Sequence, residues 1–198
     1  QNGESIGALV IAPMRVAALT WPSEVECWDQ FNWMRIVSLR TETGQRDFLN
    51  GRALIYTINY ESIPLLVSLI KRRRGTVPYD TVIFDESTKA KNPNSKRVNA
   101  FRHHTPRVER NICLTGTPMP NSWKDLFAQV RLVDGGKRLG ENYHRFLAQY
   151  FDCSNHAGYN KYEEKAGTPE KLELAIADIT VTLKSSDWLN IPDTIVED

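Results

Sequence analysis

Thr81-Val82-Ile83-Phe84-Asp85-Glu86-Ser87-Thr88 is the stretch that decides the fold. Strand-forming residues run unbroken into two adjacent carboxylates, so the chain leaves a buried strand on Asp85 and Glu86. A second short run, Asn111 to Leu114, closes in the same way on Thr115-Gly116-Thr117-Pro118. Working outward, Ala8-Leu9-Val10-Ile11-Ala12 is continuous and apolar and is ended by Pro13, the pattern of a strand covered on both faces. Arg35 to Leu39 and Ala53 to Thr57 read as further strands, the latter set off by Gly51.

Between the strands the spacing predicts helices. Thr20 caps one whose first turn holds Pro22 and Glu24, with Val25, Trp28 and Phe31 following at helical spacing. Glu61 to Arg73 is another, with Pro64 in its first turn and Gly75 and Pro78 past its end. Ser95 to His104 is a third, and Ser122 to Val133 a fourth with Leu126, Phe127, Val130 and Val133 on one stripe. Leu172 to Asp178 reads as a last helix and Ile179 to Leu183 as a last strand, while the polar segment 152–168 reads as a long surface loop or insertion. This alternation gives an α/β fold, a parallel sheet with helices on both faces. Right-handed crossovers bring the strand C-termini to one edge, where open α/β sheets bind ligands.

At 198 residues the chain is long enough for one well-buried domain and a small subdomain. Lys and Arg number 25 against 24 Asp and Glu, a net charge of +1, so any nucleic-acid contact is local rather than a global field. The longest apolar stretch, Ala8 to Met14, is too short for a bilayer and lacks secretory flanks, so no membrane partner is expected. Cys27, Cys113 and Cys153 are widely spaced without a C-x-x-C pair, which suits a reduced, cytoplasmic protein. The chain opens on Gln1 and enters a strand within eight residues, which suggests an upstream part.

Paired carboxylates at a strand exit suit phosphoryl transfer, which needs a metal on phosphate oxygens, a positioned water and nearby cations. Asp85 has the placement of a carboxylate that holds Mg2+ through water. Glu86, one residue on, has that of a general base for the attacking water. Taken singly, an acidic pair is an ordinary polar strand exit and a Thr-Gly-Thr-Pro turn is commonplace. Together at this spacing they are not. The phosphate cradle is absent, because no G-x-x-x-x-G-K-[ST] occurs in the chain.

Phe84 to Ala100, FDESTKAKNPNSKRVNA, and Leu114 to Asp125, LTGTPMPNSWKD, resemble motifs II and III of superfamily-two helicases, and more narrowly the Swi/Snf-like branch with its phage and bacterial members. Val10 to Pro13 resembles motif Ia, Ile55 to Glu61 motif Ib, and Ile179 to Pro192 the exit toward a second motor domain. The resemblance covers nearly all of residues 1–198. It implies a partial N-terminal RecA-like lobe of P-loop NTPase type, acting with ATP, Mg2+, DNA and a second RecA-like domain of the same polypeptide. It also implies site roles. Asp85 and Glu86 are the catalytic pair, Asp85 holds the metal, and Asp85, Thr115, Gly116 and Thr117 meet the nucleotide. Arg15, Thr57 and Tyr60 are the DNA contacts. Lys89 and Lys91, clustered with Lys96 and Arg97 just after motif II, are further candidates, for DNA or for a domain interface.

Two departures accompany it. Motif I should lie upstream of Gln1, so the piece alone is expected to be inactive. Motif II ends in Ser87-Thr88 rather than Ala-His, so a hydroxyl has to replace the imidazole that links the ATP site to motif III. The alternative is a non-catalytic module of the same fold that binds DNA or a protein. Other features read as ordinary: Lys71 to Arg74 as a solvated helix end, Cys113 as a small core hydrophobe, His103-His104 as no metal site, and Trp21, Trp28 and Trp33 as packing residues.

Overall fold

The computed structural model describes residues 5–104, 108–119, 121–156 and 159–183. Its centre is a five-stranded parallel sheet of β1 (Ala8–Ala12), β2 (Ile36–Ser38), β3 (Ile55–Asn59), β4 (Thr81–Asp85) and β5 (Arg110–Leu114), in the order β2-β3-β1-β4-β5. The expected parallel sheet is therefore present, with β1 at its middle.

Alternation along each strand feeds two layers. Leu9, Ile11, Tyr56, Ile58, Val82 and Phe84 join the main core. Three helices cover it there: α2 (Glu42–Asn50), α3 (Ile63–Arg72) and α4 (Lys96–His104), supplying Phe48, Leu66, Ile70 and Phe101 among others. Phe84 meets Phe101 edge-on with ring centres 5.5 Å apart. On the opposite face Val10 and Ala12 pack with Ala17, against a π-helical turn (Val16–Thr20) that runs into α1 (Trp21–Cys27). Gly44 shows how closely α2 is drawn to the sheet: a Cβ there would stand 1.9 Å from the Ser38 carbonyl oxygen.

A second core sits beside the sheet. It is built from α5 (Leu126–Asp134), α6 (Tyr143–Tyr150), the antiparallel hairpin β6 (Phe151–His156) and β7 (Tyr159–Glu164), and α7 (Thr168–Ile176). Its centre is aromatic, with Phe127 and Phe146 rings 5.0 Å apart. The helix α5 belongs to both cores, giving Leu132 to the first and Leu126, Phe127 and Val130 to the second.

Four expectations change. The segment 152–168 is not a loop but the β6–β7 hairpin and the start of α7; Tyr162 packs on the second core while Lys161 and Glu163 pair at 2.7 Å outside. Ile179 to Leu183 is not a strand: a 3-10 turn ends at Ile179, and Val181 and Leu183 stand 84% and 73% exposed and pair with no strand among the described residues. The rest of that segment, 184–192, lies outside the described residues. α1 stops at Cys27, so Trp28 and Phe31 do not share its buried face; Trp28 is extended and donates to Glu24 at 3.0 Å. β3 runs two residues later than the sequence reading, ending at Asn59.

Candidate nucleotide and nucleic-acid site

Strand register puts the special loops on one level. Ala12 pairs with Asn59, Ile11 with Phe84, and Asp85 with Leu114. The segments that follow, starting at Pro13, Tyr60, Glu86 and Thr115, therefore leave the same edge of the sheet. The connection after β1 covers one face of the sheet and those after β3 and β4 cover the other, so β1 has a topological switch point on each side, one of them the crevice between β1 and β4.

Asp85 stands at that crevice, half-buried. Its Oδ2 accepts the indole N–H of Trp21 at 2.9 Å. Its backbone oxygen accepts the Tyr60 hydroxyl at 2.9 Å, and the same hydroxyl lies 3.4 Å from the Glu86 carbonyl oxygen. Burial first, and the nearby Cys113, Asp85 and Glu86 after it, push the Tyr60 hydroxyl well above its usual range, so it stays a donor.

Glu86 is exposed and adopts φ 51° and ψ 55°, a left-handed conformation unusual for a residue with a Cβ. Such a conformation costs roughly 1–2 kcal/mol and persists where the surroundings hold it. Ser87, fully buried, follows at once; its hydroxyl donates to Gln129 Oε1 at 2.6 Å. Gln129 Nε2 donates in turn to the Pro118 carbonyl oxygen at 2.6 Å. Of the Ser87 and Thr88 hydroxyls, that of Ser87 reaches the Thr115–Pro118 turn, through the Gln129 amide. In that turn the Thr117 amide donates to Thr115 Oγ1 at 3.1 Å.

The basic candidates separate. Arg15 is exposed just beyond β1. Lys89 is exposed and, with Tyr60, Glu61, Ser95 and Arg97, lines a depression of about 110 Å³. Across it Arg97 lies 3.8 Å from Glu61. Lys91 turns the other way and pairs with Asp125 at 3.3 Å. Thr57 is a correction: because β3 extends to Asn59, its side chain is fully buried inside the sheet and its hydroxyl has no surface to offer. Tyr60 is also buried, at 5% exposure, and its hydroxyl is spent on the Asp85 loop. Cys113, on β5, is only half-buried, and burial against α5 pushes its thiol up to about 12.

Sequence reasoning missed Trp21 and Gln129. Trp21 lies 64 residues from Asp85, beyond any local pattern. Gln129 carries a faint signal, a polar residue between Ala128 and Val130 on a helix whose neighbours are buried. No group of three or more His, Cys, Asp or Glu side chains able to hold a metal occurs among the described residues. No helix among them is long and apolar enough to cross a membrane.

The profile of the SNF2-related domain matches residues 1–163. Protein p41 of Acyrthosiphon pisum secondary endosymbiont phage 1 is 32% identical over 203 residues, covering 98% of this chain and 44% of its own length. The Caenorhabditis elegans homologue of the SWI/SNF-related, matrix-associated, actin-dependent regulator of chromatin subfamily A-like protein 1 is 26% identical over 179 residues, covering 84% of this chain and 24% of its own. Mouse DNA repair and recombination protein RAD54B is 26% identical over 157 residues, 78% of this chain and 17% of its own. The chain thus spans less than half of the length of each of these relatives. Among solved structures, the Sulfolobus solfataricus SWI2/SNF2 ATPase core in complex with dsDNA superposes with a TM-score of 0.63 at 21% identity, over 87% of this chain and 32% of that one. That likeness establishes a RecA-like fold. The chain belongs to the SNF2-related domain family, in the Swi/Snf-like branch of the superfamily-two helicases.

Proposed function

We propose that this chain is the first motor lobe of an ATP-dependent DNA translocase, the half that carries the metal-holding carboxylate and the water-directing base. The observation that carries the reading is the shared level of Asp85 and Leu114, which sends the strained Glu86 elbow and the Thr115–Thr117 turn off the sheet side by side.

Magnesium at nucleotide sites takes one or two carboxylates and completes its shell with water and phosphate oxygens. Asp85 fits that need, because the Trp21 indole orients Oδ2 and leaves lone pairs on both oxygens for water. When bound, the ion neutralises charge on the transferred phosphoryl group. Glu86 then has the task of orienting the attacking water and receiving its proton on the carboxylate. Nothing among the described residues requires glycine at 116: its φ lies outside the left-handed range, and an added Cβ would meet nothing within 4 Å. Bare backbone at that turn suits close approach by a nucleotide or by the second lobe.

The phosphate cradle belongs to a further strand and helix. Among the described residues β5 pairs on one side only, with Ile112 and Leu114 standing 41% and 43% exposed. That apolar edge accepts one more strand, and its bare face a covering helix. The DNA half of the reading rests on the exposed Arg15, Lys89 and Arg97 at the loop edge. The names of the relatives point the same way: DNA repair and recombination, and an ATPase core in complex with dsDNA. ATP binding closes this lobe on its partner and hydrolysis reopens the pair, a hinge-type cycle that shifts the grip on one strand. Cys27, Cys113 and Cys153 are free thiols, in keeping with a reducing cytoplasm.

The test is ATP hydrolysis by the natural full-length protein with and without DNA. Wild type is expected to be DNA-stimulated, and Glu86→Gln to keep ATP binding while losing about 10²-fold or more in rate. The 198-residue chain by itself is expected to be silent. A full-length protein that binds DNA but hydrolyses nothing supports the non-catalytic module instead.

A further inference from the structure

Gln129 is 4% exposed, on a helix segment whose neighbours Phe127, Ala128 and Val130 are also buried. A leucine would fill the space without the cost of burying an amide, which is repaid only by well-made hydrogen bonds. Here both polar atoms are spent, and on different parts of the site. Oε1 accepts from Ser87 at 2.6 Å, one residue past Glu86. Nε2 donates to the carbonyl oxygens of Pro118 at 2.6 Å and Asp125 at 3.0 Å. One side chain therefore fastens the end of the acidic elbow to the end of the Thr115–Pro118 turn.

The elbow needs fastening because Glu86 sits in the left-handed region at φ 51°. On one side the Tyr60 hydroxyl holds it, through Asp85 and Glu86 carbonyl oxygens. On the other side the Ser87–Gln129 bond does so, in a buried setting where hydrogen bonds are strong and unpaired partners costly. The helix that bears Gln129 also carries Phe127 and Val130 into the second core. A displacement of the Thr115–Pro118 turn or of α5 would pull on Ser87 directly.

We infer that Gln129 is a positioning residue that keeps the aim of Glu86 and the place of the Thr115–Pro118 turn in a single register. The inference rests on the reading of Glu86 as the water-directing base. It adds a residue outside both loops, and it gives the second core a mechanical path to the acidic elbow.

The test uses the natural full-length protein with Gln129→Met, which keeps the length of the side chain, Ser87→Ala, and the two together. Each single variant leaves a buried partner unsatisfied, so both stability and DNA-stimulated kcat fall. The kcat loss is expected at about tenfold to hundredfold, the scale of an ångström-sized misplacement, with KM for ATP within about twofold. In the double variant both buried ends of the Ser87 bond are gone, and removing both partners of a hydrogen bond is close to neutral for stability. Its unfolding midpoint is expected to recover part of the way from the Gln129→Met value, the Pro118 and Asp125 carbonyl oxygens still lacking their donor, while kcat stays low. Should kcat return along with the midpoint, or never fall in the single variants, the pair serves packing alone and the inference is overturned. A loss confined to KM overturns it as well. A wild-type protein with no DNA-stimulated hydrolysis overturns the functional reading and this inference with it, whereas active wild type with unaffected variants overturns only the inference.

Discussion

The indole N–H of Trp21 donates to Oδ2 of Asp85 across 2.9 Å, tying the first residue of α1 to the carboxylate at the end of β4. The bond reaches the β4 end of the sheet from α1 and orients the carboxylate proposed to hold the metal-bound water. A hydrogen bond to a charged group is worth roughly 1.5–3 kcal/mol, toward the lower end where both partners are half-exposed. Trp21→Phe keeps an aromatic ring against the cluster of Val10, Ala12 and Ala17 and deletes only the donor. In the full-length protein it should raise the magnesium concentration for half-maximal ATP hydrolysis, the proposed activity, by about tenfold, with most of the rate restored at saturating metal. Titration of activity against Mg2+ reads this out. An unchanged requirement would confine the indole to packing.

Tyr60 acts one bond further back. Its hydroxyl serves the Asp85 carbonyl oxygen, and burial keeps it protonated at every ordinary pH. Tyr60→Phe should cost about 1 kcal/mol, the net value of one hydrogen bond. It should also lower kcat, because the strained Glu86 conformation loses one of its two supports. Denaturant unfolding alongside steady-state hydrolysis separates the effects. If stability drops and kcat does not, the elbow is held from the Ser87 side alone.

Much of this arrangement was legible in the sequence, for a physical reason. β1 and β4 are buried on both faces, so they appear as unbroken apolar runs, and the two special loops had to fall at one edge of a parallel sheet. What was hidden depended on longer-range facts. Thr57 entered as a DNA contact through the motif Ib resemblance, at the end of a strand placed two residues early; with β3 running on to Asn59, burial removes it from the surface. Lys89 and Lys91 read alike, yet the second is turned toward Asp125, a residue far along the chain. The β6–β7 hairpin escaped because its residues are mostly polar and, among the described residues, Tyr162 and Phe151 are the ones that touch a core. α2 escaped for a similar reason, with Phe48 its one fully buried large side chain.

Asp80 gives a prediction about acid stability. Burial alone would raise its carboxyl. Donors from Ser5 at 2.6 Å, the Ile6 amide at 2.7 Å and Thr81 at 2.9 Å outweigh that, with help from Arg110, and hold it below the usual 3.8. Below the usual carboxylate value the unfolded chain binds the proton more readily than the folded one. The stabilisation is therefore complete above about 3.8 and is lost as pH falls through the depressed value. Asp80→Asn should lower stability near neutral pH and flatten the acid limb. Unfolding midpoints between about pH 6 and about pH 2 test this, and an Asn variant with an undiminished acid slope would assign that slope to other carboxylates.

The last prediction concerns DNA and separates two lysines that the sequence could not. Lys89 is exposed at the rim of the depression formed with Tyr60, Ser95 and Arg97, whereas Lys91 is paired with Asp125 at 3.3 Å. A net charge of +1 allows this lobe only a few phosphate contacts, so each should be visible in the salt dependence. Lys89→Ala and Arg15→Ala should each weaken binding to all sequences about equally and reduce the log–log salt slope by about one. Lys91→Ala should leave the slope near wild type, since its ammonium is engaged within the protein. Glu61 supplies a control of opposite sign. The Asn59 amide holds its carboxyl below the usual range, so at neutral pH it stays negative beside Arg97. Glu61→Gln should therefore tighten DNA binding modestly and steepen the slope as Arg97 is released. If Lys91→Ala flattens the slope and Lys89→Ala does not, the phosphate path runs along the Asp125 side of the motif, and the depression beside Tyr60 is not part of it.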